Sequence, residues 1–266
     1  MKSNPATPYP EVNAILQELL EGIQGILGEH LLGMYLEGSL ANGDFDQDSD
    51  IDFVVVTDVE VTEDLFSSLQ SMHDQIATLD SPWAIQLEGS YLSRQALRRY
   101  DPANDIHPNI ERGLGERLKL VRHQEVWNVH RHILRQRGIT IVGPDPAALI
   151  DPITPSALKQ AMLPALSGWA TYLLHHPNEI GQRGYQSYIV LTLCRILYTL
   201  QTGEVASKLK SAHWAKEAIG DTWKPLIEDA WEGRHASQMP ADPAAIRQTQ
   251  DFIEYTLEVS RHVKLT

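Results

Sequence analysis

Apolar and polar residues along the first third of the chain alternate between helical and strand spacing. Apolar residues recur every three or four positions over Glu11–Leu27, which predicts an amphipathic helix. Two short apolar runs follow and predict strands: LLGMYLEGS, which enters a glycine turn, and the β-branched run Ile51–Thr57. Helical spacing returns over Thr62–Leu79, and a third strand is predicted over Trp83–Leu92.

The pattern changes near residue 150. Before it, a helix is predicted over Val121–Arg137 and a strand in the run GITIVG that begins at Gly138. Two X-Pro pairs, Asp151-Pro152 and Thr154-Pro155, then punctuate the chain. Every later periodic segment is helical: Pro155–His175, Tyr185–Leu200, Ser211–Ile219, Lys224–Trp231 and Asp242–Val263. We therefore predict an α+β protein, with a mixed sheet flanked by helices in residues 1–152 and an all-α bundle in residues 153–266.

Charge and cysteine content narrow the range of partners. Acidic residues outnumber basic residues 35 to 22, and the formal charge is −13. Such a surface repels phosphate backbones, so no nucleic-acid partner is expected, and it attracts a cationic substrate unless it serves solubility alone.

The single cysteine, Cys194, cannot form an internal disulfide and is expected to be buried. The first residues lack the apolar run of a signal peptide and no membrane span is predicted, so we expect a cytoplasmic protein, and a monomer.

One polar stretch between the first two strands carries candidate chemistry. Gly38-Ser39 follows the first strand, and a backbone without a Cβ beside a hydroxyl lets a polyphosphate approach closely. Ser49, Asp50 and Asp52 mark the start of the next strand, where the two aspartates share one face because side chains alternate. Two carboxylates there can hold hard cations such as Mg²⁺ together with substrate phosphates, and a metal pair can clamp an in-line displacement.

Gly38-Ser39 followed by Asp50-x-Asp52 resembles the signature of the polymerase-β-like nucleotidyltransferase superfamily. The run IVLTLCRILYTLQTGEVASKLKSAHWA, and the architecture of the whole chain, resemble the streptomycin/spectinomycin adenylyltransferase family. The resemblance covers nearly the entire chain. It implies transfer of AMP from ATP, with two Mg²⁺ ions, to a hydroxyl of a small acceptor, and ATP bound in a cleft between the two domains.

The resemblance also implies roles for individual residues. Asp50 and Asp52 would hold the metals, and Glu88, in the third predicted strand, would be the catalytic base that takes the proton of the attacking hydroxyl. By its position alone, Glu88 could also be an outward-facing strand carboxylate. Without the resemblance, Arg195 within an apolar helix predicts a buried ion pair. Nucleotide contacts are implied for residues of both domains: Gly38, Ser39, Ser49, Arg195 and Lys208.

The acceptor is less defined. The family binds streptomycin through acidic residues before the Leu-Thr-Leu helix and an earlier aromatic residue, but Gly181–Tyr188 has no carboxylate and Pro102–Leu120 has no tryptophan. Glu179 and Asp221 are possible substitutes for the acidic residues. We expect a small hydroxylated acceptor, with a cationic one favoured by the acidic surface. An antibiotic of the aminoglycoside or spectinomycin type and an unrelated metabolite both remain open.

Two other functions are compatible with the core motif. A protein-modifying adenylyltransferase of the toxin–antitoxin type shares that motif, but such proteins are usually short single domains. A catalytically silent nucleotide-binding sensor is the second alternative, and the presence of all three carboxylates argues against it. His123, His130 and His132 lie near Glu125 but do not share a helix face, so surface or capping roles are predicted in preference to a zinc site.

Overall fold

The computed structural model describes residues 5–236 and 238–265. The chain divides into two compact units, Met1–Pro152 and Ile153–Thr266. Within the described residues the first unit contains six strands with flanking helices, whereas the regular elements of the second are all helices. The α+β fold class predicted from the sequence is confirmed.

The first unit is built around one mixed sheet. Its described strands are β1 (Leu31–Leu36), β2 (Ile51–Thr57), β3 (Leu87–Ser93), β4 (Ile106–Ile110), β5 (Lys119–Arg122) and β6 (Ile139–Val142). Its α-helices are α1 (Pro10–Leu27), α2 (Gly38–Asn42), α3 (Glu63–Ile76), α4 (Arg94–Arg98), α5 (Asn128–Arg137) and α6 (Pro146–Leu149). The strand order is β5-β4-β3-β2-β1-β6, and β2 pairs with β3 in parallel while the other pairs are antiparallel. The parallel pair requires a crossover, which α3 supplies.

Alternation along the strands sends side chains into two cores, one on each face of the sheet. Phe53 and Val55 of β2 pack in the cluster that contains the buried residues of α1 and α3. Val54 of β2 and Leu92 of β3 pack in the other cluster, together with Leu134 of α5. Polar residues at alternate positions in line with Val54 and Leu92 therefore point to the face of the sheet that carries α5. They lie at the strand ends, beyond the apolar core.

Two predicted elements of the first unit differ from the structure. The strand predicted from Trp83 begins only at Leu87, because Pro82–Ile85 forms a 3-10 turn whose first residues are capped by the Ser81 hydroxyl. The helix predicted over Val121–Arg137 is wrong in its first half. That half contains the end of β5 and a 3-10 turn, and α5 begins only at Asn128.

The second unit is a helical bundle centred on one apolar helix. Its α-helices are α7 (Pro155–His175), α8 (Arg183–Thr202), α9 (Lys208–Ala218), α10 (Lys224–Gly233) and α11 (Pro243–Arg261). The other four helices all contact α8, and Cys194 is fully buried within it, as predicted. Gly203 ends α8 in the left-handed conformation at φ 71°, which a glycine adopts without strain. None of the helices in the described residues has the length and apolarity needed to span a membrane.

Candidate active site

Three carboxylates form a row across the centre of the sheet. Asp52 of β2 lies directly opposite Glu88 of β3 in the parallel register. Glu37 follows the last residue of β1, and its backbone N–H donates to the carbonyl of Asp52 at 3.1 Å. All three residues line one cavity on the α5 face. Neighbouring strands are separated by about 4.8 Å, so the row places three acidic groups within two strand spacings.

Gly38 brings the turn after β1 against Asp52. Its φ of 59° lies in the left-handed region, and a Cβ built on it would overlap the carboxylate of Asp52. The next residue, Ser39, has a hydroxyl oxygen that is shielded from solvent and has no hydrogen-bond partner among the described residues. A buried hydroxyl without a partner is unusual and is satisfied when a ligand oxygen lies beside it.

Replacement of Gly38 by alanine is expected to lower catalytic turnover by about 10²-fold, the effect of displacing a reacting group by about 1 Å. The new methyl group must push the Asp52 carboxylate aside, and the left-handed backbone adds a cost of about 1 kcal/mol. Turnover and thermal melting of the variant test this. Gly25→Ala on α1 is the matched control, because a methyl group added there extends into open space. Normal turnover in Gly38→Ala would show that the close contact with Asp52 is not required.

Asp50 lies at the end of the loop that leads into β2. Its carboxylate forms an ion pair with Arg112 at 3.7 Å, and Arg112 also donates to the carbonyl of Asp48 at 3.1 Å. The hydroxyl of Ser49 is engaged within the loop, because it donates to the Asp46 carboxylate and accepts from the Asp46 backbone N–H, both at 3.0 Å. In this arrangement Ser49 shapes the loop that carries Asp50, and a direct nucleotide contact would require these bonds to change.

Burial and a neighbouring carboxylate change the acidity of Glu88. Burial is the main cause that raises the pKa of Glu88 to about 7, the charge of Asp50 acts in the same direction, and the Arg112 guanidinium opposes both. A carboxylate with a pKa near neutral pH can accept a proton from an attacking hydroxyl and release it afterwards. A pKa near 7 is compatible with the role of general base that the resemblance implies for Glu88.

The cavity beside the carboxylate row has a volume of about 250 Å³. Trp127 forms part of its wall, and the indole stacks between the rings of His123, at 4.6 Å, and His130, at 5.3 Å. His130 Nδ1 lies 3.0 Å from Glu37 Oε1. The prediction of a surface or capping role is wrong for His123, which is 4% exposed and whose pKa burial lowers to about 3.

The first unit also has the donors that Mg²⁺ would need. Among the described residues no group of three or more histidine, cysteine, aspartate or glutamate side chains is arranged to hold a metal ion. Mg²⁺ is usually bound by one or two carboxylates and completed by waters and substrate phosphates. Asp50 and Asp52 fit that type of site better than an all-protein metal cage.

Two implied nucleotide-binding residues lie in the second unit. Arg195 is partly buried on α8, and no hydrogen bond or ion pair of its guanidinium is present within the described residues of this unit, so the predicted buried ion pair is wrong. Lys208, the first residue of α9, is exposed. Of the possible acidic substitutes, Asp221 pairs with Lys224 at 2.8 Å, and Glu179 accepts from the Tyr172 hydroxyl at 3.4 Å.

Several residues of the site were missed from the sequence. Glu37 directly precedes the Gly38-Ser39 turn. The feature that could have identified it in the sequence was a charged residue directly after a buried strand. Arg112 and Asn109 lie on or beside the β4–β5 hairpin, which the apolar pattern did not predict. His130 was expected only in a surface or capping role, and neither His130 nor Trp127 was predicted to lie in the site, because their stacking depends on the fold.

Comparisons with known proteins agree with this arrangement. The family described as "Nucleotidyltransferase domain" matches residues 16–125, and "Aminoglycoside adenylyltransferase, C-terminal domain" matches residues 148–258. An Aminoglycoside (3'') (9) adenylyltransferase of Escherichia coli is 26% identical over 263 residues, covering 92% of this chain and 93% of the relative. A Spectinomycin 9-adenylyltransferase of Staphylococcus aureus is 23% identical over 261 residues, covering 90% of this chain and 94% of the relative.

A solved structure shares the fold. It is a spectinomycin adenyltransferase from Enterococcus faecialis crystallised with ATP and spectinomycin, and its TM-score is 0.70 at 15% identity. The alignment covers 93% of this chain and 98% of that one. The mixed sheet, the Gly38-Ser39 turn and the adjacent carboxylates define the protein as a nucleotidyltransferase. In order along the chain, its two units match a nucleotidyltransferase domain and the C-terminal domain of the aminoglycoside adenylyltransferases, which the chain resembles over nearly its whole length.

Proposed function

We propose that this protein transfers AMP from Mg-ATP to a hydroxyl of an antibiotic of the aminoglycoside or spectinomycin type, and so confers resistance to it. The observation that carries the proposal is the register that sets Glu88, with its pKa of about 7, directly opposite Asp52. The names of the relatives support the acceptor class, since the curated proteins similar over nearly the whole chain are aminoglycoside and spectinomycin adenylyltransferases.

Asp50 and Asp52 are the proposed metal ligands. Bound Mg²⁺ would neutralise phosphate charge and stabilise the attacking and leaving oxygens during transfer. Gly38 leaves the Asp52 carboxylate the space that a Cβ at this position would take. The ion pair of Asp50 with Arg112 is partly exposed and has a separation of 3.7 Å, so it can open when a cation is bound.

Glu88 is the proposed base. Its carboxylate would accept the proton of the acceptor hydroxyl while that oxygen attacks the α-phosphorus of ATP and pyrophosphate leaves. The bond formed is the phosphoester to the acceptor, and the bond broken joins the α-phosphorus to the bridging oxygen. Glu88 then returns its proton to solvent, which a pKa of about 7 permits at neutral pH.

Ser39 is the proposed phosphate-binding residue of the first unit. The Ser39 hydroxyl, which has no partner within the described residues, would donate to a phosphate oxygen. Arg195 and Lys208 are the proposed nucleotide-binding residues of the second unit, and the guanidinium of Arg195 is unpaired within the described residues of that unit. We expect the enzyme to act in the cytoplasm as a monomer without nucleic acid, in keeping with its formal charge of −13.

Radiolabelled ATP incubated with the full-length enzyme, Mg²⁺ and a panel of aminoglycosides and spectinomycin tests the proposal. We expect acceptor-dependent release of pyrophosphate and a product heavier by one AMP, and both should disappear when the metal is chelated. Binding of ATP without transfer to any acceptor would instead favour a nucleotide sensor. Transfer of AMP to proteins alone would favour the protein-modifying function.

A further inference from the structure

Glu37 lines the cavity of the active site, and one of its two carboxylate oxygens has no hydrogen-bond partner among the described residues. Its side chain is 6% exposed, and His130 holds its Oε1 at 3.0 Å. Its Oε2 is shielded from solvent and has no hydrogen-bond partner among the described residues. An unpaired buried carboxylate oxygen is costly, and such atoms are normally satisfied in folded proteins. A ligand that brings a donor to Oε2 would remove this cost.

The surrounding walls favour a positively charged, ring-containing ligand. Glu37 and Glu88 contribute acceptor oxygens to the cavity, and Val126 and Trp127 are among its apolar lining residues. This combination suits a molecule with donor groups at its edge and a carbon ring at its centre. A protonated amine is the donor that gains most from a buried carboxylate, because the resulting hydrogen bond is charge-assisted.

We propose that Glu37 binds a protonated amine of the acceptor and thereby selects cationic aminocyclitols, with His130 as the positioning residue that orients its carboxylate. This inference rests on the proposed function and names the chemistry of its acceptor. Glu37 and Glu88 lie on the β1 and β3 sides of Asp52, so an acceptor that contacts both spans about 9–10 Å, two strand spacings. A fused-ring aminocyclitol with its amine and its reacting hydroxyl on different edges fits that span.

Steady-state kinetics of the full-length enzyme and its Glu37→Gln variant test the assignment. The acceptors are spectinomycin, whose methylamino groups are cationic at neutral pH, and its N-acetylated, uncharged derivative. With spectinomycin, Glu37→Gln is expected to raise KM by about 10- to 100-fold, the range of a hydrogen bond to a charged group. The kcat and the KM for ATP should change little. The wild-type enzyme should lose a similar factor on N-acetylated spectinomycin, and the variant should lose no more.

Each other result overturns the assignment. A higher KM for ATP would show that the cavity takes the nucleotide, and a higher Mg²⁺ requirement would show that Glu37 is a metal ligand. An unchanged KM for spectinomycin would show that Glu37 does not contact the acceptor, although the proposed function would stand. If the wild-type enzyme transfers AMP to no amine-bearing acceptor, the proposed function fails together with the inference.

Two further variants keep the proposal testable if Glu37→Gln does not fold. Glu29→Gln changes an exposed glutamate outside the cavity and is the control for loss of one charge. His130→Ala removes the half-exposed ring that holds Glu37 Oε1, so the protein should still fold. It is expected to raise KM for spectinomycin several-fold without raising KM for ATP, since an unheld carboxylate loses orientation. An unchanged KM in a folded His130→Ala would contradict the positioning role.

Discussion

Replacement of Asp52 by asparagine is expected to lower the rate of AMP transfer by about 10³-fold or more. Asp52 is the middle member of the carboxylate row, and the proposed Mg²⁺ site depends on its charge. Metal stabilisation of a phosphoryl transition state is worth several kcal/mol, and each 1.36 kcal/mol corresponds to about tenfold in rate. Asparagine has nearly the same size, so the variant should unfold cooperatively at a temperature close to that of the wild type.

The control for Asp52→Asn is Asp58→Asn. Asp58 follows the opposite end of the same strand and pairs on the surface with His30 at 2.9 Å. Turnover measured by pyrophosphate release, at several Mg²⁺ concentrations, should fall only in Asp52→Asn. If Asp52→Asn keeps near-normal turnover with Mg²⁺, the assignment of the metal ligands is wrong.

Replacement of Glu88 by glutamine should separate chemistry from binding. Glutamine keeps the size and the hydrogen-bonding capacity but cannot accept the proton of the acceptor hydroxyl at neutral pH. Turnover is therefore expected to fall by at least about 10²-fold, the usual contribution of a positioned base. Affinity for Mg-ATP should stay close to that of the wild type, because Asp50 and Asp52 keep their charges. Calorimetric titration of ATP beside the transfer assay measures the two effects separately.

Glu111→Gln provides the comparison for Glu88→Gln. Glu111 lies close enough to influence the pKa of Glu88, but its side chain is largely exposed and pairs with Lys119 at 3.8 Å. The turnover of Glu111→Gln should remain near that of the wild type. Loss of ATP binding in Glu88→Gln as complete as in Asp52→Asn would make Glu88 a third metal ligand, and full activity would assign proton transfer to another residue.

The pattern of apolar residues along the sequence predicted the bounds of the long helices and strands well. The bounds of β2 and α7 are those expected from apolar runs and helical spacing, because β2 is buried on both faces and α7 buries one apolar stripe. The β4–β5 hairpin was not predicted. Its strands are short, β4 contains Pro108, and Ile106 and Leu120 are exposed, so neither strand shows the apolar alternation of a half-buried strand.

Some residues of the candidate site could be predicted from their spacing in the sequence, whereas others come together only in the folded chain. Gly38, Ser39, Asp50 and Asp52 lie in one motif whose spacing along the chain already indicates phosphate and metal chemistry. The partnership of Glu37 with His130 joins residues from distant parts of the chain, and its geometry is set by the packing of α5 on the sheet. The spacing of residues along the sequence does not predict such a contact.

The parallel pairing of β2 with β3 makes the site depend on a long-range crossover of the chain. Asp52 and Glu88 meet only after the crossover through α3 has closed, which costs the chain entropy before any contact is gained. Repulsion among the acidic groups opposes the same step. Truncation of the buried face of α3, at Leu69 or Met72, is therefore expected to lower the free energy of unfolding and the fraction of folded, active molecules, while the chemistry of each folded molecule stays unchanged.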